Sequence, residues 1–207
     1  MLRVSAGLVL VPLLLAACTS MSAEECSVLD WRSVGYEDGV AGLPGNHIGQ
    51  YRKACAKHGV GTDLSAYQAG RETGLKEYCQ ASNGFRVGAR GDVYQGVCPA
   101  PLERDFLGPY NSGHELFTLE RRASNASRHL ADKRNELNRI EQDMVSNSAV
   151  LLADDSKAED RAHALVETKQ LAEQKGRVET QIVDLERDRA RYERDLETYR
   201  ATVAANL

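Results

Sequence analysis

Aromatic residues are scarce in this chain, 6% of 207 residues with a single tryptophan. That argues against one large hydrophobic core, because aromatic rings bring the largest buried areas. Positive charge is not in excess either. Lys and Arg number 26 against 30 Asp and Glu, a formal charge of −4. A general nucleic-acid binder is thereby excluded, since phosphate neutralisation needs a basic excess or a strong basic patch. No G-x-S-x-G, H-E-x-x-H or P-loop pattern occurs. The cysteines are widely and irregularly spaced, without C-x-x-C or an accompanying H-x-x-x-H, so no metal site is expected. Acidic neighbours such as Glu37-Asp38 and Asp154-Asp155 point apart on a helix or turn. The chain is therefore read as not an enzyme, with no catalytic residue and no cofactor. Hydrophobic residues at 42% and charged residues at 27% exclude bulk disorder and a multi-span membrane protein.

What is present begins at the N-terminus. Arg3 precedes an apolar run from Val4 to Leu15, too short to span a hydrocarbon core of about 30 Å as a helix. The run ends in Leu15-Ala16-Ala17-Cys18, which resembles a bacterial lipobox. The resemblance implies a signal peptide over residues 1–17, cleavage before Cys18, and a thiol carrying a diacylglyceryl group beside an acylated amino group. Palmitate-length chains each contribute about 0.8 kcal/mol per buried CH₂, enough for a stable membrane anchor when two or three are attached. Thr19 stands where an aspartate would resemble an inner-membrane retention signal. The expected address is the outer membrane, with the protein facing the periplasm. The rival reading is an ordinary secretory signal with an incidental cysteine.

Four cysteines remain: Cys26, Cys55, Cys79 and Cys98. An even number in an oxidising compartment reads as two disulfides stapling a compact module. Three connectivities are possible and the sequence does not choose among them. We lean to Cys26–Cys55 and Cys79–Cys98, because the second would close a glycine-rich segment read as a β-hairpin, with short strands at Phe85 to Val87 and Val93 to Val97.

Residues 18–25 read as a lipidated linker, residues 26–112 as a Gly/Tyr-rich stapled module. A loose motif recurs there: Tyr36-x-x-Gly39, Tyr67-x-x-Gly70-x-x-x-Gly74 and Tyr110-x-x-Gly113. In a helix Tyr67, Gly70 and Gly74 share one strip. Glycine costs about 1 kcal/mol relative to alanine there, so close backbone approach is the expected compensation, with a ligand groove as the alternative. Asp63 is placed to cap the helix carrying that strip. His47 to Cys55 gives another short helix, stopped near Gly59 and Gly61. Trp31, Tyr36, Tyr67 and Tyr94 are the candidate ligand face, able to stack on sugars if they share a side.

Several motifs in this region go together: Asp30-Trp31, Gly35-Tyr36-x-Asp38-Gly39, Tyr67-x-x-Gly70-Arg71-x-x-Gly74-Leu75, Tyr78-Cys79, Asn83-Gly84 and Tyr94-x-Gly96-Val97-Cys98. In these the chain resembles an uncharacterised bacterial lipoprotein family, the domain-of-unknown-function family 2799. The resemblance runs to about Gly113. It implies a lipoprotein and carries no activity.

Residues 113–207 differ in texture. They contain no Cys, Trp or Pro. Leu116, Ala123, Leu130, Leu137, Met144 and Leu151 recur every seven residues, with Leu119, Ala126, Lys133 and Ile140 on the companion seam. Leu171, Val178, Leu185, Tyr192 and Tyr199 repeat the pattern later. This is a coiled-coil heptad. Ser156-x-x-Glu159 reads as a capping box opening a second helix, so an antiparallel hairpin turning near residues 154–156 is preferred to one helix of over ninety residues. Leu116 then faces Leu196, Leu119 faces Tyr192, Leu130 faces Ile182 and Ile140 faces Leu171. Tyr199 and Val203 run past the first arm and are expected to pack near Phe106, Pro109 and Tyr110.

The fold expected is mainly α: a disulfide-stapled helical module with a short β-hairpin, followed by a long antiparallel coiled-coil hairpin. The function expected is that of a non-catalytic envelope lipoprotein. It is held to the membrane by its lipid and meets an envelope protein partner through the coiled coil, with the oligomeric state open. The alternative is a peptidoglycan or glycan binder.

Overall fold

Glycines four residues apart decide how two pairs of helices in this chain meet. A computed structural model describes residues 21–206. Residues 1–17, expected to be a signal peptide, and Cys18, the expected lipidation site, lie outside the described residues. Two units are distinguished, Met1–Tyr78 with Gln95–Val97, and Cys79–Tyr94 with Cys98–Leu207. Among the described residues the fold is mainly helical and contains no strand.

In the first unit, helix α1 (Ala23–Val28) opens on a capping box between Ser22 and Glu25, so helix begins inside the segment read as linker. Helix α2 (Trp31–Val40) is capped by Asp30, whose carboxylate accepts from the Arg32 and Ser33 amides. A 3₁₀ turn, Gly45–His47, leads into α3 (Ile48–Ala56). Asp63 caps α4 (Leu64–Tyr78) as its position foretold, accepting from the Ala66 amide at 2.9 Å. Helices α2 and α4 pack against each other backbone to backbone. A Cβ on Gly35 would overlap the Tyr67 carbonyl oxygen, and one on Gly70 the Arg32 carbonyl oxygen. Gly39 and Gly74 stand in the same relation to Arg71 and Tyr36. Only a residue without a side chain permits this approach. A core of Cys26, Trp31, Ile48, Cys55 and Tyr67 fills the side of the pair.

The second unit corrects the expected β-hairpin. Phe85 and Val87 lie in helix α5 (Ala81–Ala89), and residues 93–97 are irregular. Asn83-Gly84 reads as a turn dipeptide in isolation, but here Gly84 and Gly88 are needed for a helix contact. A Cβ on either would collide with the carbonyl oxygens of Phe106 and Tyr110 in α6 (Ala100–Leu152). In return, Gly113 lies against Phe85 and Ala89.

This second pair repeats the first. Gly35-Tyr36-x-x-Gly39-x-x-Gly42 and Gly84-Phe85-x-x-Gly88-x-x-Gly91 are one pattern. Gly42 and Gly91 both have positive φ, 68° and 77°. Both helices end alike: Ala41, Gly42 and Leu43 donate to the carbonyls of Glu37, Gly39 and Asp38, as Arg90, Gly91 and Asp92 do to those of Arg86, Gly88 and Val87. These bonds satisfy carbonyls left free by the helix end. The ring of Tyr78 covers Gly42, and the ring of Phe117 covers Gly91.

Beyond the pair, α6 continues as the first arm of the helical hairpin and α7 (Ala158–Asn206) returns. The arm therefore begins well before residue 113. Leu119, Ala123, Ala126, Leu130 and Ile140 are buried, with Ala164, Val178 and Leu196 from α7. Leu116, Leu119, Tyr192 and Leu196 meet in one cluster, the register expected. Residues 153–157 form the turn. Ser156 is not a helix cap; its hydroxyl donates to the Val150 carbonyl at 2.7 Å. Tyr199 is covered because α6 already extends alongside, and its hydroxyl donates to the Ser112 carbonyl.

Candidate functional site

The four rings read as a ligand face are placed very differently. Tyr67, 1% exposed, and Trp31, 8% exposed, lie in the core of the first unit rather than on a stacking surface. Tyr67 faces inward because it sits one turn from Gly70 on the strip that touches α2. Its hydroxyl donates to Asp38 at 2.6 Å, and Tyr51 from α3 donates to the other oxygen at 3.0 Å. Asp38 is the buried carboxylate at the centre of this unit, 4% exposed. Both phenols are held protonated far above the usual tyrosine range, first by burial and then by their bonds to Asp38. Tyr51 is pushed up to about 12 and Tyr67 still further. The arrangement fastens three helices and leaves no donor free to act on a substrate.

Tyr36 is half-buried on the outer side of α2. Its hydroxyl donates to Glu77 at 2.8 Å, which raises its pKa. It borders a shallow depression of about 260 Å³ with Asp30, Arg32, Ser33, Glu37 and Thr73. Its lining is largely polar, and neither periodicity nor spacing foretold it. Asp30 is already engaged there as helix cap and as acceptor from the Ser33 hydroxyl, which holds its pKa below the usual carboxylate range.

Tyr94 belongs to the second unit. Its hydroxyl donates to Glu103 at 3.0 Å and accepts from the Cys98 amide at 2.9 Å. Its ring lies 4.9 Å from that of Phe106. These contacts hold Tyr94 against α6. The cysteines form the two bridges we leaned to: Cys26–Cys55, 29 residues apart, and Cys79–Cys98, 19 apart. Each joins the approach to the first helix of a pair with the approach to the second. Among the described residues no group of three His, Cys, Asp or Glu could hold a metal ion, and no helix is long and apolar enough to cross a membrane.

The hairpin carries what the sequence reading missed. Val145, Leu152, Leu165, Val166 and Val183 are large apolar residues between 46% and 82% exposed. None lies on the seam, which is why heptad counting passed over them. A shallow depression lined by Asn138, Glu141, Gln142, Val145 and Ser146 runs along α6, and Lys175 closes across the arms to Glu141 at 2.6 Å.

Each unit holds one disulfide-closed, glycine-bracketed helix pair whose motif residues are engaged in packing. Residues 30–115 match the family model described as a protein of unknown function, DUF2799. The match opens at the cap of α2 and closes inside α6, so it contains both pairs and ends where the coiled-coil seam begins. No curated protein and no solved structure matches the chain.

Proposed function

We propose that this chain is a non-catalytic, lipid-anchored periplasmic protein of the outer membrane that acts as a structural or protein-interaction module through its helical hairpin. The observation that carries the reading is the set of large apolar residues exposed on α6 and α7, outside the seam. Exposed apolar surface in register along a helix usually has a partner. In the family domain the residues of the motifs are engaged in helix contacts, disulfides and internal hydrogen bonds. At 1.5 Å per residue an arm of about forty residues reaches about 60 Å, long enough to bridge envelope components. The anchor rests on Leu15-Ala16-Ala17-Cys18. Cys18→Ser is expected to yield an unprocessed or soluble form on membrane fractionation. A processed variant that stays with the outer membrane would defeat the anchor. Photo-crosslinking from hairpin positions in living cells tests the rod; crosslinks confined to the family domain would overturn it.

A second reading rests on the polar depression beside Tyr36, which suits a glycan better than an apolar ligand. Binding to purified wall sacculi that is lost in Tyr36→Ala and kept without the hairpin would favour it.

A further inference from the structure

The bond between Lys175 and Glu141, at 2.6 Å, divides the hairpin into a shaft and a tip. Beyond it lie residues 142–174, both arms included, with the turn in their middle. Large apolar residues are placed differently in the two parts. In the shaft, Leu119, Leu130, Ile140, Val178 and Leu196 are buried along the seam. In the tip, Ala164 is the one buried residue, and the seam row of Leu119 and Ile140 reaches Asn147. Val145, Leu152, Leu165 and Val166 are turned outward instead, 60% to 82% exposed. They contribute little to holding the tip together, and large apolar side chains gathered in one exposed place mark a contact site. The turn among them is fixed from within. Ser156 donates to the Val150 carbonyl at 2.7 Å, and the Arg161 guanidinium donates to the Ala153 carbonyl at 2.6 Å. A turn held in this way has little freedom left to lose on binding.

Charge separates the same two parts. With both arms counted, the tip has seven acidic residues against three Lys or Arg. The shaft, residues 116–141 with 175–200, has eleven acidic residues against thirteen Lys or Arg. Asp143, Asp154, Asp155, Glu159 and Asp160 form no ion pair among the described residues. The end of α6 and the start of α7 meet at the turn with opposite dipole charge, so the side chains set the sign of the tip. An acidic tip is repelled by anionic lipid headgroups and by the tip of a second copy. With no Phe, Trp or Tyr between residues 142 and 174, it has no ring to stack on a sugar. What attracts it is positive charge set around apolar side chains, the make-up of a protein surface.

We propose that the tip of the hairpin docks on a basic protein surface, its four apolar side chains entering an apolar recess edged by Lys or Arg and its carboxylates meeting those charges. The inference rests on the reading of the hairpin as the contact element, and names the end that makes the contact and the chemistry it meets. Leu152 stands two residues before Asp154, and Leu165 and Val166 directly precede Glu167, so apolar and acidic side chains lie close together on both arms. In such a contact the desolvated apolar centre carries most of the affinity. The charges around it speed encounter and turn away partners of the wrong sign.

The test places photo-reactive p-benzoylphenylalanine at Leu152 of the full chain in living cells, and separately at Arg128 and Val183 in the shaft, and maps crosslinked peptides by mass spectrometry. The expected product joins Leu152 to another protein through a peptide in which Lys and Arg outnumber Asp and Glu, with little of it from the shaft positions. Asp154→Lys with Asp155→Lys is expected to lower the Leu152 yield about tenfold or more. Val145→Asp with Leu165→Asp is expected to do the same. Thermal unfolding of both variants should stay close to that of the parent, since none of the four side chains is buried. A crosslinked peptide that is neutral or acidic, a product joined to a second copy or to lipid, or a yield unmoved by either pair of changes would overturn the proposal. If the tip captures nothing while the shaft captures another protein, tip docking fails and the hairpin reading stands. If neither captures a protein, both fail.

Discussion

In the α2–α4 pair, three residues after the first glycine stands Asp38, bonded to Tyr67. In the α5–α6 pair the matching positions are Val87, 2% exposed, and Phe106, fully buried. Pro109 stands where the first pair has Gly70; the other glycines, the helix ends and the covering rings correspond. Even one side-chain bond is matched with different chemistry: Arg71 donates to the Leu43 carbonyl and Tyr110 donates to that of Asp92, the same place in each pattern. The comparison teaches that backbone contact through glycine defines the pair, while its centre can be polar or apolar if it is self-consistent. A buried carboxylate with two phenol donors and a Val–Phe contact are both satisfied solutions. The polar version has a further use. Tyr51 bonds Asp38 from α3, a helix that the short connection of the second pair does not have.

The largest effect that probes this comparison is loss of a bridge. Replacing both cysteines of either disulfide by alanine is expected to cost about 3–4 kcal/mol, since the loops closed are similar. Amide hydrogen exchange, read separately for each pair, checks it. A loss confined to one bridge would break the equivalence of the two pairs. Next, Tyr67→Phe should cost about 1–3 kcal/mol, because it leaves Asp38 buried with one donor removed. Asp38→Val combined with Tyr67→Phe imitates the second pair and should cost less than the two single changes added together. Denaturant unfolding followed by Trp31 fluorescence measures this within the first unit, where the only tryptophan lies.

A pH dependence, graded rather than all-or-none, probes the same difference. Tyr51 and Tyr67 have folded pKa values raised above their unfolded value. Their contribution is complete below about pH 10 and is lost as pH rises through the folded values, by at most about 1.4 kcal/mol per pH unit for each phenol. The Trp31 transition should therefore fall steeply between pH 10 and 12. The Asp38→Val, Tyr67→Phe double variant should flatten that fall, Tyr51 alone remaining.

Much of this was legible in the sequence. The heptad seam, the arm register and the Asp63 cap followed from spacing, because coiled-coil burial is local and periodic. The second helix pair was not read, because its glycines mimic turn residues. Asn83-Gly84 and the isolated Phe85 to Val87 look like a hairpin when taken locally; only their alignment with Gly35 to Gly42 shows a helix contact. Trp31 and Tyr67 were read as a stacking face because residue type does not tell which side of a short helix is buried. Asp38 was passed over since Glu37-Asp38 was judged as an acidic pair, whereas Glu37 is exposed and Asp38 is not.

The central claim is that the motif glycines are packing contacts and not a ligand cradle. An alanine scan of the glycines, with unfolding free energy as the readout, tests it most directly. Alanine at Gly35, Gly70, Gly84 or Gly88 is expected to destabilise its own pair by about 3 kcal/mol or more, because the added Cβ meets partner backbone. Alanine at Gly49, Gly108 or Gly176, each within a helix and with nothing inside 4 Å of the new Cβ, is expected to stabilise by about 0.5–1 kcal/mol. Unchanged stability in the first group would contradict the account and turn the glycine strips back into a binding groove.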